Sequence, residues 1–217
     1  PQYDLKSGKV SGAEALLRWY NPTLGQVPPD RFISVAEETG IIIDIGYFVF
    51  KEACREYMRW KAEGLYIDKL SINISSVQFR EGDLFENFKK IMEKEGVSPQ
   101  NIEIEITEYF IMEYSTTNLT ILEDFRRAGC HISIDDFGTG YSSMSYMKSL
   151  PLDTIKIDKS FVMDLPDDTH DVEVSKAIIA LSNSLGYRVI AEGIETELQE
   201  IFLRENGCNV GQGYYFA

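Results

Sequence analysis

The chain has 217 residues, 44% of them hydrophobic and 26% charged, which excludes a disordered or fibrous protein and allows one folded domain with a sizeable core. No apolar run approaches the ~18 residues of a bilayer span, and Pro1-Gln2-Tyr3-Asp4 does not open a signal peptide, so a cytoplasmic domain is expected. Thirty-five acidic against 21 basic residues give a formal net charge of −14, which repels nucleic-acid phosphates but still admits a small phosphate ligand wherever divalent cations invert the local potential.

Extended runs over 3–5 and 10–17 flank Lys6-Ser7-Gly8-Lys9, a turn containing glycine, and read as a hairpin. The first strand is therefore expected to run antiparallel to the rest. Apolar residues then recur every three or four positions over 29–39 and 47–63, the spacing of helices. Strands are predicted over 70–75, 102–107, 131–135, 154–158 and 188–192, with a last one near 210–216. Helices over 84–94, 119–128 and 172–185 fall between them. Alternating strands and helices predict a parallel α/β fold.

Strands of an open parallel sheet are apolar on both faces because helices cover both. These are not. Ile72 and Ile74 alternate with Ser71, Asn73 and Ser75; Ile102, Ile104 and Ile106 with Glu103 and Glu105; Ile132 and Ile134 with His131, Ser133 and Asp135. Ile155 and Ile157 bracket Lys156, and Val189 and Ala191 alternate with Arg188 and Glu192. Period two puts the charged positions on one face, and a closed TIM-like (β/α)8 barrel turns that face inward.

The inward polar residues nearest the strand C-termini are Glu14, Asn73, Glu105, Asp135 with Asp136, Lys156, Glu192 and Gln212. Barrels of this kind build their active sites on that rim. So many carboxylates together require cations to neutralise them. Oxygen donors with no histidine or cysteine nearby suit Mg²⁺ or Mn²⁺, with Ca²⁺ as a competing occupant. The ligand count accommodates two ions, and a metal pair about 3.5–4 Å apart is suited to phosphodiester hydrolysis.

At these residues the chain resembles the EAL family of cyclic-di-GMP-specific phosphodiesterases. The motifs run in order through Glu14-Ala15-Leu16-Leu17-Arg18-Trp19, Asn73-Ile74-Ser75, Glu105-Ile106-Thr107-Glu108, Asp135-Asp136-Phe137-Gly138-Thr139-Gly140, Lys156-Ile157-Asp158, Ala191-Glu192-Gly193-Ile194-Glu195-Thr196 and Gln212-Gly213-Tyr214. Three residues alone match by chance; seven ordered motifs over the whole chain are specific. The resemblance implies that Glu14, Asn73, Glu105 and Asp135 hold one metal, that Asp135, Asp136 and Glu192 serve a second, and that Lys156, assisted by Gln212, orients or deprotonates the attacking water. A desolvated lysine there is expected to have a lowered pKa. Arg18 and the backbone near Leu16 are implied contacts of a substrate phosphate, with Asp136 and Gln212 beside the substrate. Glu108 and the loop 136–143 are implied to couple metal binding to dimer contacts, a helix starting near Ser142-Ser143 being the candidate surface of a homodimer.

The resemblance further implies a single domain over 1–217, trimmed at both ends and joined in a longer chain to GGDEF, sensory or membrane segments. The competing readings are a silent receptor that binds cyclic di-GMP without cleaving it, and another metal-dependent barrel acting on a different phosphate ester or an enolisable acid. Structural readings are expected for the remaining residues: Glu195 as a helix cap, His131 in the core away from the rim, and His170 in a solvated loop. Phe32, Phe48, Phe50, Tyr57 and Trp60 have the spacing of core packing, and Cys54, Cys130 and Cys208, odd in number and without metal-ligand spacing, are expected as buried thiols. Taken alone, Lys156 also fits a salt bridge to Asp158.

Overall fold

The computed structural model describes residues 1–112, 116–140, 147 and 150–216, without side chains at 111 and 112. Its barrel strands are β1 (Gln2–Asp4), β2 (Val10–Ala15), β5 (Lys69–Asn73), β6 (Ile102–Thr107), β7 (His131–Phe137), β8 (Thr154–Ile157), β9 (Arg188–Ala191) and β10 (Val210–Gly211), and a separate hairpin pairs β3 (Trp19–Asn21) with β4 (Gly25–Val27). The barrel closes in the order β1-β10-β9-β8-β7-β6-β5-β2. Short β1 runs antiparallel to both of its neighbours, and the other pairs are parallel. The TIM-like barrel and its reversed first strand are thus as the sequence predicts.

The strands explain the closure. Ile102, Ile104 and Ile106 of β6 are fully buried under helices, while Glu103 and Glu105 between them are 1% exposed inside the barrel. Pairing of Ser71 with Glu103, Asn73 with Glu105 and Thr107 with Asp135 keeps polar residues abreast around the interior. Outside, Phe50 stacks on Phe88 at 3.9 Å, and Phe125 meets Phe88 edge-on at 5.7 Å, tying the Ile42–Ala62, Leu84–Glu95 and Thr116–Ala128 helices together over the sheet.

Helix ends follow their local chemistry. Pro29 opens the Pro29–Thr39 helix, where its missing N–H costs nothing. The Asp168 side chain accepts from the N–H groups of His170 and Asp171 and starts the Thr169–Leu185 helix, which stops at Gly186 with φ 78°. His170 therefore belongs to a first helical turn, exposed, rather than to a loop. Thr196 and Gln199 form a capping box that starts the Glu197–Glu205 helix. The cap is Thr196, not Glu195, because its hydroxyl reaches the Gln199 N–H while the Gln199 carboxamide accepts from the Thr196 and Glu195 N–H groups.

Other expectations are corrected. The strand expected over 10–17 ends at Ala15, and the chain leaves the barrel to form the β3–β4 hairpin, whose turn is held by Asn21 Oδ1 accepting from the N–H groups of Thr23 and Leu24. The last strand stops at Gly211, followed by a 3-10 turn over Tyr214–Phe216. Gly213 packs so closely on Ile194 that an added Cβ would lie 2.1 Å from the Ile194 carbonyl oxygen, and Tyr215 N–H donates to that same oxygen. Phe48 is 58% exposed, on the outer face of its helix, whereas Phe32, Phe50 and Tyr57 are buried. His131 is half-buried at the entry to β7, 3.9 Å from Asp153, with burial and Lys69 holding its pKa low. The three thiols are buried as predicted, and burial pushes each up to about 12. The predicted helix near Ser142-Ser143 lies outside the described residues. Among the described residues, no helix is long and apolar enough to cross a membrane.

Candidate active site

Five barrel strands deliver one polar cluster. Glu14 lies near the end of β2, Glu105 on β6, Asp135 on β7 and Lys156 on β8, with Glu192 one residue past β9. The Lys156 ammonium is fully buried among them, 2.7 Å from Glu192 Oε1, 2.9 Å from Glu105 Oε2, 3.1 Å from Asp135 Oδ1 and 3.5 Å from Glu14 Oε2. The Asn73 amide donates to Glu14 Oε1 and the Gln212 amide to Glu14 Oε2, each at 2.7 Å. The alternative reading of Lys156, a salt bridge to Asp158, is not what forms; Asp158 accepts from Ser160 and caps the turn Lys159–Phe161.

Asp135 and Asp136 are consecutive, so a regular strand would point them to opposite faces. The chain breaks that period. Asp136 adopts φ 53°, a left-handed conformation that short polar residues enter more readily than others, and the β7–β8 register shifts between Ile134 and Phe137. Both carboxylates thereby reach the rim: Asp136 and Glu192 each bring an oxygen within 4.8 Å of Asp135. The turn that follows is held from below by Glu108. Its Oε2 accepts from the Gly138 N–H at 2.9 Å and the Gly140 N–H at 3.1 Å. A Cβ on Gly140 would approach the Glu108 carboxyl carbon to 3.1 Å, so the two are closely fitted.

The electrostatics show a pocket short of positive charge. Burial, only partly offset by Lys156, pushes Glu105 well above the usual carboxylate range, with Glu14 and Asp135 adding to the rise. Burial and Asp135 likewise raise Glu192 to about 7 against the pull of Lys156, and burial, Asp135 and Asp158 raise Asp136 to about 6. Glu14 is the exception: burial opposes its ionisation, but Lys156 and the Gln212 and Asn73 amides outweigh it and hold its carboxyl low. Lys156 itself moves opposite to expectation. Burial disfavours its charge, yet four carboxylates hold the ammonium protonated well above the usual lysine range.

Glu14, Glu105 and Asp135 can place one oxygen each within 4.8 Å of one another, and Asp135, Asp136 and Glu192 do the same. Two overlapping acidic triplets, sharing Asp135, could each hold a cation. With all five carboxylates ionised, as bound cations would hold them, they leave four negative charges against the one ammonium, the charge of two divalent ions. The second oxygen of Glu105 is buried with no partner, as is Gln212 Oε1, and buried acceptors of this kind are costly unless a ligand satisfies them. The all-oxygen donor set fits a hard divalent cation.

Leu16 and Arg18 lie where the chain leaves β2, both exposed. Arg18 is not joined to the carboxylate cluster; its Nη1 donates to the Leu17 carbonyl at 3.0 Å, and its side chain lines a cavity that also reaches Asn73. The sequence reading missed Glu37 and Gln78, which line the same cavity as Ser75 of the Asn73-Ile74-Ser75 motif. The Ser75 hydroxyl donates to Glu37 Oε1 at 2.6 Å and its N–H to Gln78 Oε1 at 3.2 Å. Ser75 follows Asn73 at alternate spacing, the one signal that could have pointed there.

A closed barrel with an acidic, lysine-centred rim at its strand C-termini is the architecture of a TIM-barrel site able to hold cations. The chain belongs to the EAL domain family, whose profile matches residues 1–217. It is 42% identical over 217 residues to the signaling protein YkoW of Bacillus subtilis, covering all of this chain and 27% of that protein. It is 40% identical over 217 residues to the cyclic di-GMP phosphodiesterase NbdA of Pseudomonas aeruginosa, covering all of this chain and 28% of that one. A solved structure, "PaMucR Phosphodiesterase, c-di-GMP complex", superposes with a TM-score of 0.93 at 39% identity, covering all of this chain and 88% of the other. The chain spans between about a quarter and a third of the curated relatives it matches.

Proposed function

We propose that this chain is the EAL phosphodiesterase domain of a longer protein and hydrolyses cyclic di-GMP to linear pGpG. One observation carries the reading: a rim cluster of five carboxylates, four of which meet the single Lys156 ammonium, leaves a buried oxygen of Glu105 without a partner. Relatives and a neighbouring structure named for cyclic di-GMP phosphodiesterase activity supply the substrate. Glu14, Asn73, Glu105 and Asp135 would hold one Mg²⁺ or Mn²⁺, and Asp135, Asp136 and Glu192 a second, with Ca²⁺ as a competing occupant. Such a pair activates water and neutralises charge on a phosphoryl oxygen when bound.

The chain's own residues do the rest. Lys156, held as an ammonium by its neighbours, acts as a fixed positive donor that orients water and steadies developing negative charge, not as the base. Gln212 donates to Glu14 and keeps its carbonyl oxygen free, an acceptor for a proton of the attacking water. The Arg18 fork and the backbone at Leu16 receive a substrate phosphate. Asp136 faces the substrate, and Glu108 holds the turn that carries it. A homodimer, adjoining GGDEF or sensory domains and a cytoplasmic setting complete the proposal.

Purified protein with Mg²⁺ or Mn²⁺ is expected to convert cyclic di-GMP to pGpG, resolved by chromatography, and to lose that activity in EDTA. Binding without cleavage would replace the hydrolase with the receptor reading.

A further inference from the structure

The Pro29–Thr39 helix is a wall between two cavities. Pro29, Ile33 and Glu37, four residues apart, line the one that reaches Arg18 and Asn73. Phe32 and Val35, on the helix's other face, line a second cavity of about 700 Å³, closed by Trp19 and Leu24 of the β3–β4 hairpin and by Ile41 and Phe48 around the start of the Ile42–Ala62 helix.

This outer groove is left uncovered. Trp19, Leu24, Val35, Ile41 and Phe48 are between 42% and 69% exposed, and large apolar side chains gathered on one surface mark a binding site. They line a concavity of small-molecule size, mostly apolar and aromatic with a few polar groups, which is the make-up of a ligand pocket. The charged residues on its wall are Arg18 and Arg31, and among the described residues no carboxylate lines it, although the chain carries a net charge of −14. Arg31 is exposed. Arg18 spends one N–H on the Leu17 carbonyl, and neither arginine is paired with a described carboxylate. Apolar walls with unpaired guanidinium groups complement an apolar body that ends in an anionic head.

We propose that the groove binds an amphipathic organic anion and that its occupation opposes substrate binding. Leu17, Arg18 and Ile45 line both cavities. A head group held by Arg31 and Arg18 therefore draws the Arg18 guanidinium from the phosphate it is proposed to receive, and the coupling is negative and reciprocal. The inference rests on the reading of Arg18 as a phosphate contact of cyclic di-GMP.

Octane-1-sulfonate is the probe, with octan-1-ol as its uncharged counterpart. Trp60→Phe leaves Trp19, in the groove, as the single tryptophan. Titration in that background should give a saturable one-to-one fluorescence change, with the sulfonate bound more tightly than the alcohol. Arg31→Gln should weaken the sulfonate alone by about three- to fivefold, the worth of an exposed ion pair. Phe48→Ser should weaken both by about tenfold through lost apolar contact. In assays with Mn²⁺, octane-1-sulfonate at saturation should raise the KM of wild type for cyclic di-GMP by about fivefold with kcat unchanged. Phe48 does not line the substrate cavity, so Phe48→Ser should keep wild-type turnover and lose most of that effect at the same concentration. Absence of saturable binding, or binding that neither substitution weakens, overturns the site. Alcohol bound as tightly as sulfonate overturns the anion, and binding with KM unmoved overturns the opposition to substrate. If wild type binds octane-1-sulfonate but cleaves no cyclic di-GMP, the hydrolase reading and the opposition fail while the site stands.

Discussion

Two glutamates of β6 sit two residues apart on one face, each 1% exposed, and their surroundings are opposite. Glu103 accepts from the Ser71 hydroxyl at 2.9 Å and the Thr154 hydroxyl at 2.7 Å, so both of its oxygens are met by the layer nearer the strand entries. Glu105 shares Lys156 with three other carboxylates and has an oxygen with no partner at all. Burial is the same; satisfaction is not. A buried carboxylate with a complete set of donors is part of the scaffold. One left short of donors and crowded by like charge is built for something that arrives later, and folding stability is given up there for it.

The largest expected effect attacks this contrast directly. Glu105→Gln and Glu14→Ala should each lower cyclic di-GMP turnover by at least ~100-fold, since each removes a proposed metal ligand, and even outer partners of such ligands are worth about 10–100-fold. In EDTA, the thermal midpoint of Glu105→Gln should stay level or rise, because the substitution relieves crowding. Glu103→Gln should do the reverse, leaving turnover intact while costing about 1–3 kcal/mol, or roughly 2–4 °C for each kcal/mol in a protein of this size. Equal loss of turnover in Glu103→Gln and Glu105→Gln would erase the distinction.

A metal titration sharpens it. Mn²⁺ at about 100 times its dissociation constant should stabilise the protein by about 2.7 kcal/mol, read as a raised midpoint in a thermal melt. Wild type and Glu103→Gln should both show the rise; Glu105→Gln should lose most of it. A rise of the same size in Glu105→Gln would remove Glu105 from the ligand set.

Much of this contrast was legible in the sequence, because period two is a local property. Strand β6 was placed at its observed bounds, and Glu103 and Glu105 were put on the inner face together. Which of the two would be satisfied was not legible. That depends on Ser71, Thr154 and Lys156, which are brought to β6 only when the barrel closes. The direction of the Lys156 shift was missed for the same reason: burial alone lowers a lysine, and the four carboxylates that raise it come from four other strand ends. The β3–β4 hairpin was overlooked although Asn21-Pro22-Thr23-Leu24-Gly25 is a turn sequence, because the apolar run before it read as one continuing strand. Phe48 shows the limit of helical spacing, which finds an apolar stripe but not the width of what covers it.

A smaller effect should come from the turn that carries Asp136. Glu108→Ala frees the Gly138 and Gly140 N–H groups without removing a proposed ligand, so turnover should fall by about 10–100-fold, the range for groups that orient ligands, with the Mn²⁺-dependent rise in midpoint reduced rather than lost. An undiminished rate would mean that the turn keeps its shape without Glu108.

The smallest effect belongs to the one loose member of the scaffold layer. Gln2 is fully buried, yet its amide reaches Ser71 Oγ only at 3.5 Å, and its own Oε1 has no partner. The Ser71 hydroxyl has already given its proton to Glu103, so Gln2 supplies nothing that Glu103 needs. The backbone carbonyl of Gln2, which accepts from Ser11, is untouched by a side-chain change. Gln2→Met, similar in length and free of the orphaned oxygen, should therefore shift stability by less than about 1 kcal/mol in denaturant unfolding and leave turnover as it is. A loss as large as that of Glu103→Gln would show that the layer is satisfied as a unit, with Gln2 holding the Ser71 hydroxyl in place, and the contrast within β6 would then extend to all of its neighbours rather than to one pair of hydroxyls.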